Sequence, residues 1–549
     1  MKTDTSKPER DSVSRIYLMA AVLLLCVSWW LLLLPDMEWT IALNGFSPID
    51  WVAHLNSPTT FRLDFPNGTM NYDKSSFMHL YPLASSWFGI SPELLIKWVV
   101  LLEIIFLVSS AVIFSRALTP SASPFVACVF ALLLVSGRTN MDLSNFGRPT
   151  FWGLYYNAAD GLRLLGIAQF LRGRILTSAI LLAVGLTIHP VMALTACVFL
   201  AGCVAARPNA VPPRRLALAV VVFLCIAGGW WLWKIAGVTL SSGTLDPKTW
   251  IRIVRAFTYH LFPFDYGFLT VYHDYRLLPL VCLSALAAGY LPLLEKDRQR
   301  RKAIVLGIAL LAVTAVVGVL ISVYLPQPAL IKLALQRASD MILIVALAIA
   351  VAGLVGQVMA SQYLWERALA MAVLMSPFTI KPGFAALPVM LMLASCARDT
   401  VHAGPGVWRV RGPYVFGLLV AALAALYAAT NVLEAKHLPG YLGNLRFWAF
   451  AFVAAGILFL FRSLAPSRHG DTSTQVLVVL AALLFFGYSQ WKAVPGDEER
   501  RLGKDYLETQ RWAKGHTPKA ALFLVDPTIY YGWRDFSARS SFGNVREWL

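Results

Sequence analysis

The segment from Ile16 to Pro35 carries no charged side chain. It is long enough to cross a bilayer as one helix, which takes about 20 apolar residues. Comparable charge-poor runs recur at 97–115, 122–137, 151–171, 216–236, 277–294, 303–324, 341–360, 413–434, 446–463 and 475–490. The runs are continuous and do not alternate, which excludes a large soluble core built from amphipathic elements. Composition agrees: 58% of the residues are hydrophobic and 14% charged, against roughly 45–50% and 25% in average globular chains. In lipid each backbone polar group must be satisfied inside the protein, so runs of this kind are helices.

Two further runs, 175–206 and 368–397, are too long for one span. Each is broken near its middle, by His189-Pro190 and by Lys381-Pro382-Gly383. Proline disfavours helix at the residue before it, so each run reads as two short helices joined by a tight outer turn. The expected fold class is an all-α polytopic membrane protein with about 13–15 transmembrane helices. Its transmembrane domain covers 1–490, with a large first outer loop at 36–97. A short extracytoplasmic α/β tail follows at 491–549.

Net charge is +17. Lys2, Lys7, Arg10 and Arg15 precede the first run, which holds the N-terminus in the cytoplasm. No small-residue cleavage site follows that run, so it reads as a retained signal anchor. The inner segments 1–15, 116–121, 172–174, 207–215, 295–302, 361–367, 398–411 and 462–473 hold more Lys and Arg than the longer outer segments before the C-terminal tail. An odd number of spans then leaves the C-terminus extracytoplasmic. No basic run interleaves with aromatics as a nucleic-acid groove requires, so nucleic acid is not an expected partner. The seven cysteines all fall in apolar runs and none forms a CxxC pair, which argues against a zinc or redox site.

The loop 36–97 holds Asp36, Glu38, Asp50, Asp64 and Asp73, with His54, His79, Trp39, Trp51, Tyr81 and Trp87. It is too aromatic to float in water, and is expected to lie along the membrane interface. Asp36-Met37-Glu38 stands at the mouth of the first span. Two carboxylates at this spacing share a side only in extended backbone. Placed together, they could bind a divalent cation or keep one carboxylate as a base; otherwise they mark the end of a span. Asp160 and Arg163 lie three residues apart on one helical face, as an intramembrane pair or the lining of a cavity. Arg148 lies just outside the same run and could bind phosphate. His189 caps a tight turn, as a hydrogen-bonded turn residue or as a ligand. Arg337, near a helix start, could contact lipid headgroups or a diphosphate. Asn67-Gly-Thr69 fits the glycosylation acceptor pattern. The segments 257–267 and 272–275 are dense in aromatics, as in an interfacial belt or a sugar-binding surface.

The chain turns polar after Lys492. Glu508 to Lys514 reads as a short helix and Ala520 to Val525 as a buried strand. The sequence Trp512-Ala-Lys-Gly-His-Thr-Pro-Lys-Ala-Ala-Leu-Phe-Leu-Val525, followed by Tyr530-Tyr-Gly-Trp533 and Arg539, resembles the segment after the last span in oligosaccharyltransferase catalytic subunits. It is more similar still to the tail of bacterial polytopic proteins of GT-C type, as are the His-Pro turn and Gln336-Arg337-Ala-Ser339. The layout as a whole resembles the GT-C superfamily of membrane glycosyltransferases. The tail lacks the WWDYG motif of oligosaccharyltransferases, and the first loop has Asp-x-Glu where GT-C enzymes commonly have adjacent acids.

The resemblance implies a polyprenyl-phosphate-linked sugar donor arriving from the outer leaflet of a bacterial inner membrane. It implies Asp36 as the base that deprotonates the acceptor hydroxyl. Glu38 or Asp50 would assist through a divalent cation or by hydrogen bonding. Arg148, Arg163 or Arg337 would hold the leaving phosphate, and Asp160 and His189 count with them as candidate substrate-binding residues. Membrane lipids are the other expected partners. Two alternatives remain open: a non-catalytic protein of the same shape, and a transporter or flippase for a lipid-linked solute. The latter needs polar residues through the bilayer, for which Glu103, Asp160, Arg163 and Lys234 are the candidates.

Overall fold

The computed structural model describes residues 7–44, 48–56, 60–61, 63, 75–136, 151–236, 246–257, 261–262, 271–361, 363–375, 497–525 and 532–542. Arg148, the Lys381-Pro382-Gly383 break, Asn67-Gly-Thr69 and the apolar runs at 413–434, 446–463 and 475–490 lie outside the described residues.

The described chain is helical almost throughout. Helix α1 is Lys7–Asn44, α2 Ile49–Asn56, α3 Leu80–Phe88, α4 Pro92–Leu118, α5 Pro124–Ser136, α6 Tyr155–Leu171, α7 Ile175–Ile188 and α8 Pro190–Ala206. Then come α9 Pro213–Phe223, α10 Gly229–Ala236, α11 Pro247–Phe257, α12 Val271–Leu294, α13 Arg298–Tyr324, α14 Pro328–Ile331, α15 Ala338–Ala360 and α16 Leu364–Met375. The tail supplies α17 Asp497–His516, strand β1 Leu522–Phe523, α18 Trp533–Ser537 and strand β2 Ser540–Ser541, with β1 and β2 parallel. Among the described residues, Pro92–Leu118, Pro213–Lys234, Arg298–Tyr324 and Pro328–Met359 are long and apolar enough to cross a membrane. Four shorter apolar helices accompany them. The chain is an all-α polytopic membrane protein with a small α/β tail.

The two sides of the bundle follow from burial. The Pro328–Met359 window is 89% buried, so α15 is the central helix, whereas Pro213–Lys234 is 11% buried and faces outward. Packing is close where side chains are small. A Cβ on Gly202 of α8 would lie 2.7 Å from the Cα of Gly307 on α13, so the two backbones touch. Approach of this kind is how apolar helices gain dispersion energy where lipid gives no hydrophobic drive.

The His189-Pro190 break is present as expected: α7 ends at Ile188, α8 starts at Pro190, and Pro190 fills a first-turn position whose N–H would have no partner. The alternating directions of α6, α7, α8, α13 and α15 gather Tyr155, His189, Tyr324 and Ala338 at one end. Leu171, Ile175, Ala206 and Arg298 gather at the other. At that second end Arg300 donates to Ala117 O, Arg172 to Ile113 O at 3.3 Å, and Ser121 to Leu294 O at 2.9 Å. The segments 116–121, 172–174, 207–215 and 295–302 therefore share one face of the bundle, as the basic-segment reading expected.

Two expectations change. Helix α1 does not stop near Pro35 but runs through it to Asn44. Proline inside a membrane helix removes one hydrogen bond, which neighbouring groups can replace. The strand expected over 520–525 is two residues long, and its Leu522 and the adjacent Leu524 are exposed.

Candidate functional site

Arg163 is the centre of the polar interior. It sits on α6, 1% exposed, and forms ion pairs with Asp160 on the same helix and with Asp340 in the first turn of α15. Its Nη1 also donates to Thr195 Oγ1 on α8 at 3.2 Å. One guanidinium thus joins three helices. Burying these charges costs solvation, and only partners of this quality offset it. Asp160 and Arg163 are the paired residues that their spacing suggested. Asp340 and Thr195 were not singled out from the sequence.

Arg337 comes to the same end of the bundle by a built route. Ala334 adopts left-handed backbone, with φ +48°, and turns the chain into the short 3-10 segment Leu335–Arg337. That segment lies on α13 at Gly318, where a Cβ would meet Gln336 N at 2.3 Å. His189 follows from the other side. As N-cap of α8, its Nδ1 accepts from Met192 N–H at 3.3 Å, which leaves Nε2 to carry the proton of a neutral ring. Its ring lies 5.8 Å from that of Tyr155 and 5.1 Å from that of Tyr156. Arg337 and Arg163 are both within electrostatic reach of it. Asp160, Arg163, His189 and Arg337 therefore form one neighbourhood.

The segment between α1 and α4 covers this end. Ser76 and Thr187 share a hydrogen bond of 2.7 Å, two residues from His189. Trp51 donates to Met78 O at 3.1 Å. Lys234 lies 3.1 Å from His79 Nε2 and 4.3 Å from the Trp233 ring centroid, with Trp230 alongside. Beneath, Tyr81 donates to Gly153 O, and buried Glu103 accepts from Asn157 at 3.4 Å. Of the loop's aromatics, Trp39, Trp51 and Tyr81 are buried against the helices, whereas Trp87 is exposed.

The three acidic candidates divide into two groups. Because α1 is helical there, Asp36 and Glu38 do not share a side. Asp36 accepts from Trp39 and from Arg500 of α17, each at 2.9 Å. Glu38 accepts from Lys97 and Arg511, each at 2.6 Å. Burial alone would raise the Glu38 carboxyl, but these two hydrogen-bonded cations hold it below the ordinary value. Both residues fasten the tail to α1. Gly503 assists, since a Cβ there would meet Trp39 at 2.2 Å. Gln510 completes the joint: it donates to Ala42 O at 3.1 Å and accepts from Phe536 N–H at 3.2 Å.

Asp50 is different. It is buried on α2, its carboxylate accepts from Trp51 N–H at 2.7 Å, and its own N–H donates to Asp535 Oδ1 of α18 at 3.3 Å. Burial and then the Asp50 charge push the Asp535 carboxyl well above the ordinary range. A second acid beside a buried carboxyl disfavours its charged form. Asp535 carried no sequence signal.

A divalent cation does not fit at Asp36 and Glu38, whose oxygens already serve Arg and Lys. Among the described residues no three His, Cys, Asp or Glu side chains converge to hold a metal.

No protein-family model matches the chain, and no curated protein sequence matches it. Among solved structures it is similar to the apo crystal structure of the Archaeoglobus fulgidus oligosaccharyltransferase. Identity is 12% and the TM-score 0.41, over 96% of this chain and 64% of that one. It is also similar to oligosaccharyltransferase AglB of the same archaeon, solved with an inhibitory peptide and a dolichol-phosphate. There identity is 12% and the TM-score 0.37, over 96% of this chain and 65% of that one. The chain spans less than two thirds of the length of these structures.

Proposed function

We propose that the chain is a membrane glycosyltransferase that takes a sugar from a polyprenyl-phosphate-linked donor on the extracytoplasmic side. One observation carries this reading: Arg337 and Arg163 stand with His189 and two tyrosines at the loop-covered end of the bundle. A phosphate at a lipid–water boundary needs such fixed cations, and a sugar needs aromatic faces beside polar groups. The resemblance of the tail and of the Gln336–Ser339 segment to GT-C proteins points the same way.

In this proposal the acceptor oxygen attacks the anomeric carbon, and the bond from that carbon to the phosphate oxygen breaks. Arg337 receives the negative charge of the leaving phosphate. Arg163 is held by Asp160 and Asp340, so its part is to fix α6 against α15 and add positive potential. Asp36 is engaged by Arg500 and Trp39, which favours a docking role. We therefore place the base on Asp50, with Asp535 keeping its own proton and Glu38 holding the tail.

The test is transfer by the purified chain in lipid nanodiscs, using a panel of labelled polyprenyl-phosphate and polyprenyl-diphosphate sugars. Arg337→Ala should raise the donor KM. A donor KM unchanged by Arg337→Ala would remove that assignment, and no transfer by the wild type across the panel would defeat the proposal.

A further inference from the structure

The opposite end of the bundle holds a cavity of about 450 Å³, bounded by α6, α8, α9 and the start of α13. This lies within the ~300–1,000 Å³ range typical of ligand pockets. Arg207, Arg215 and Arg300 line it, together with Phe170, Leu171 and Val211. Arg300 is committed to Glu295 at 2.9 Å and to Ala117 O. Arg207 and Arg215 make no ion pair with any described residue. Two guanidiniums facing one cavity repel each other unless an anion lies between them.

The connector that carries them is stiff. Pro208 opens a 3-10 turn, and Pro212 and Pro213 lead into α9. Proline fixes φ, so the backbone that carries the two arginines has little conformational freedom to lose. The wall beside them is open to lipid: Leu218, Val220, Val221 and Leu224 are all exposed on the outward-facing span. A cavity lined by arginines and apolar side chains, next to an exposed apolar span, matches an amphiphilic anion.

We infer that this cavity binds the phosphate headgroup of an anionic phospholipid from the adjacent leaflet. The arginines take the phosphate, and the Phe170–Leu171 wall takes the first methylenes of an acyl chain. The site is separate from the one at His189: α6 alone puts about 25 Å between Tyr155 and Leu171.

Native mass spectrometry of the full chain in detergent tests this, with phosphatidylglycerol or phosphatidylcholine added and inorganic phosphate as competitor. One phosphatidylglycerol should be retained in preference to phosphatidylcholine, and millimolar phosphate should not displace it. Arg207→Gln with Arg215→Gln should weaken retention about thirtyfold, from the ~1 kcal/mol each basic residue contributes toward anionic lipid. Arg298→Gln with Lys302→Gln removes the same charge from exposed positions outside the cavity and should change little. Leu171→Trp fills the cavity without altering charge and should also block retention. Equal loss in both double-charge variants would reduce the effect to net charge and overturn the site. Displacement by inorganic phosphate would assign the cavity to free phosphate and overturn the lipid. Undiminished retention in Leu171→Trp would place the lipid elsewhere.

Discussion

Arg163 on α6 and Asp340 on α15 form an ion pair across 177 positions of sequence, each with about 1% of its side chain exposed. Asp160 completes the arrangement from within α6. A buried pair of this kind adds little net stability, but removing one partner leaves an uncompensated charge at a cost of about 3–5 kcal/mol. Arg163→Met leaves two carboxylates facing each other and should cost at least that much. Asp160→Asn leaves Arg163 with Asp340 and should cost distinctly less. Thermal unfolding in detergent reads both, and equal losses would show that Asp340 does not compensate.

The tail is fastened to α1 by steric fit more than by charge. The Asp36–Arg500 and Glu38–Arg511 pairs are part-exposed, and pairs of that kind are worth about 0–1 kcal/mol. Arg500→Ala should therefore barely loosen the tail. Gly503→Ala puts a methyl into the Trp39 ring, and overpacking costs about 1–3 kcal/mol. Protease cutting within 497–516 should rise sharply for Gly503→Ala and little for Arg500→Ala. The reverse order would mean that charge dominates.

Two titrating groups set opposite limits on the same joint. The Glu38 carboxyl is held below its ordinary value, so its contribution is present above the usual glutamate range and is lost as pH falls through the lowered value. The Asp535 carboxyl is raised, so its contribution is complete below the usual aspartate range and is lost as pH rises through the raised value. Docking should be tightest near the ordinary carboxylate range and weaken on both sides. Spin labels at positions 86 and 519 would report the distance against pH. Asp535→Asn should abolish the weakening on the alkaline side; a distance that responds to pH identically in this variant would contradict the assignment.

Local chemistry was legible in the sequence and long-range pairing was not. Helices α7 and α8 followed from Pro190, because proline acts on its own neighbours. The Asp160–Arg163 pair followed from helical spacing. Asp340 was not singled out, because nothing near it in the sequence names Arg163. Asp50 and Asp535 lie 485 positions apart, and only folding of the tail onto α1 joins them. The course of α1 through Pro35 was hidden for a different reason. Proline's local penalty is read from sequence, but the contacts from Lys97, Arg500 and Arg511 that hold the extension are not.

The carboxylate roles separate by substitution. Asp50→Asn keeps the shape but removes the proposed base, and loss of a general base costs about 10²–10⁴ in rate. Asp36→Asn should leave kcat nearly unchanged and, like Arg500→Ala, barely loosen the tail. Transfer assays on both, with tail proteolysis as the structural readout, check this. Abolished transfer in Asp36→Asn with the tail still docked would return the base to Asp36.

The central claim is that the Arg337–His189 end of the bundle binds a lipid-linked sugar phosphate for transfer. Transfer by wild type and Arg337→Ala, measured side by side across polyprenyl donors in nanodiscs, tests it most directly. Transfer by the wild type is expected, and for Arg337→Ala a donor KM raised about tenfold or more, the worth of one charge-assisted hydrogen bond to phosphate. Equal donor KM in the two proteins, or no transfer by the wild type with any donor, would contradict it.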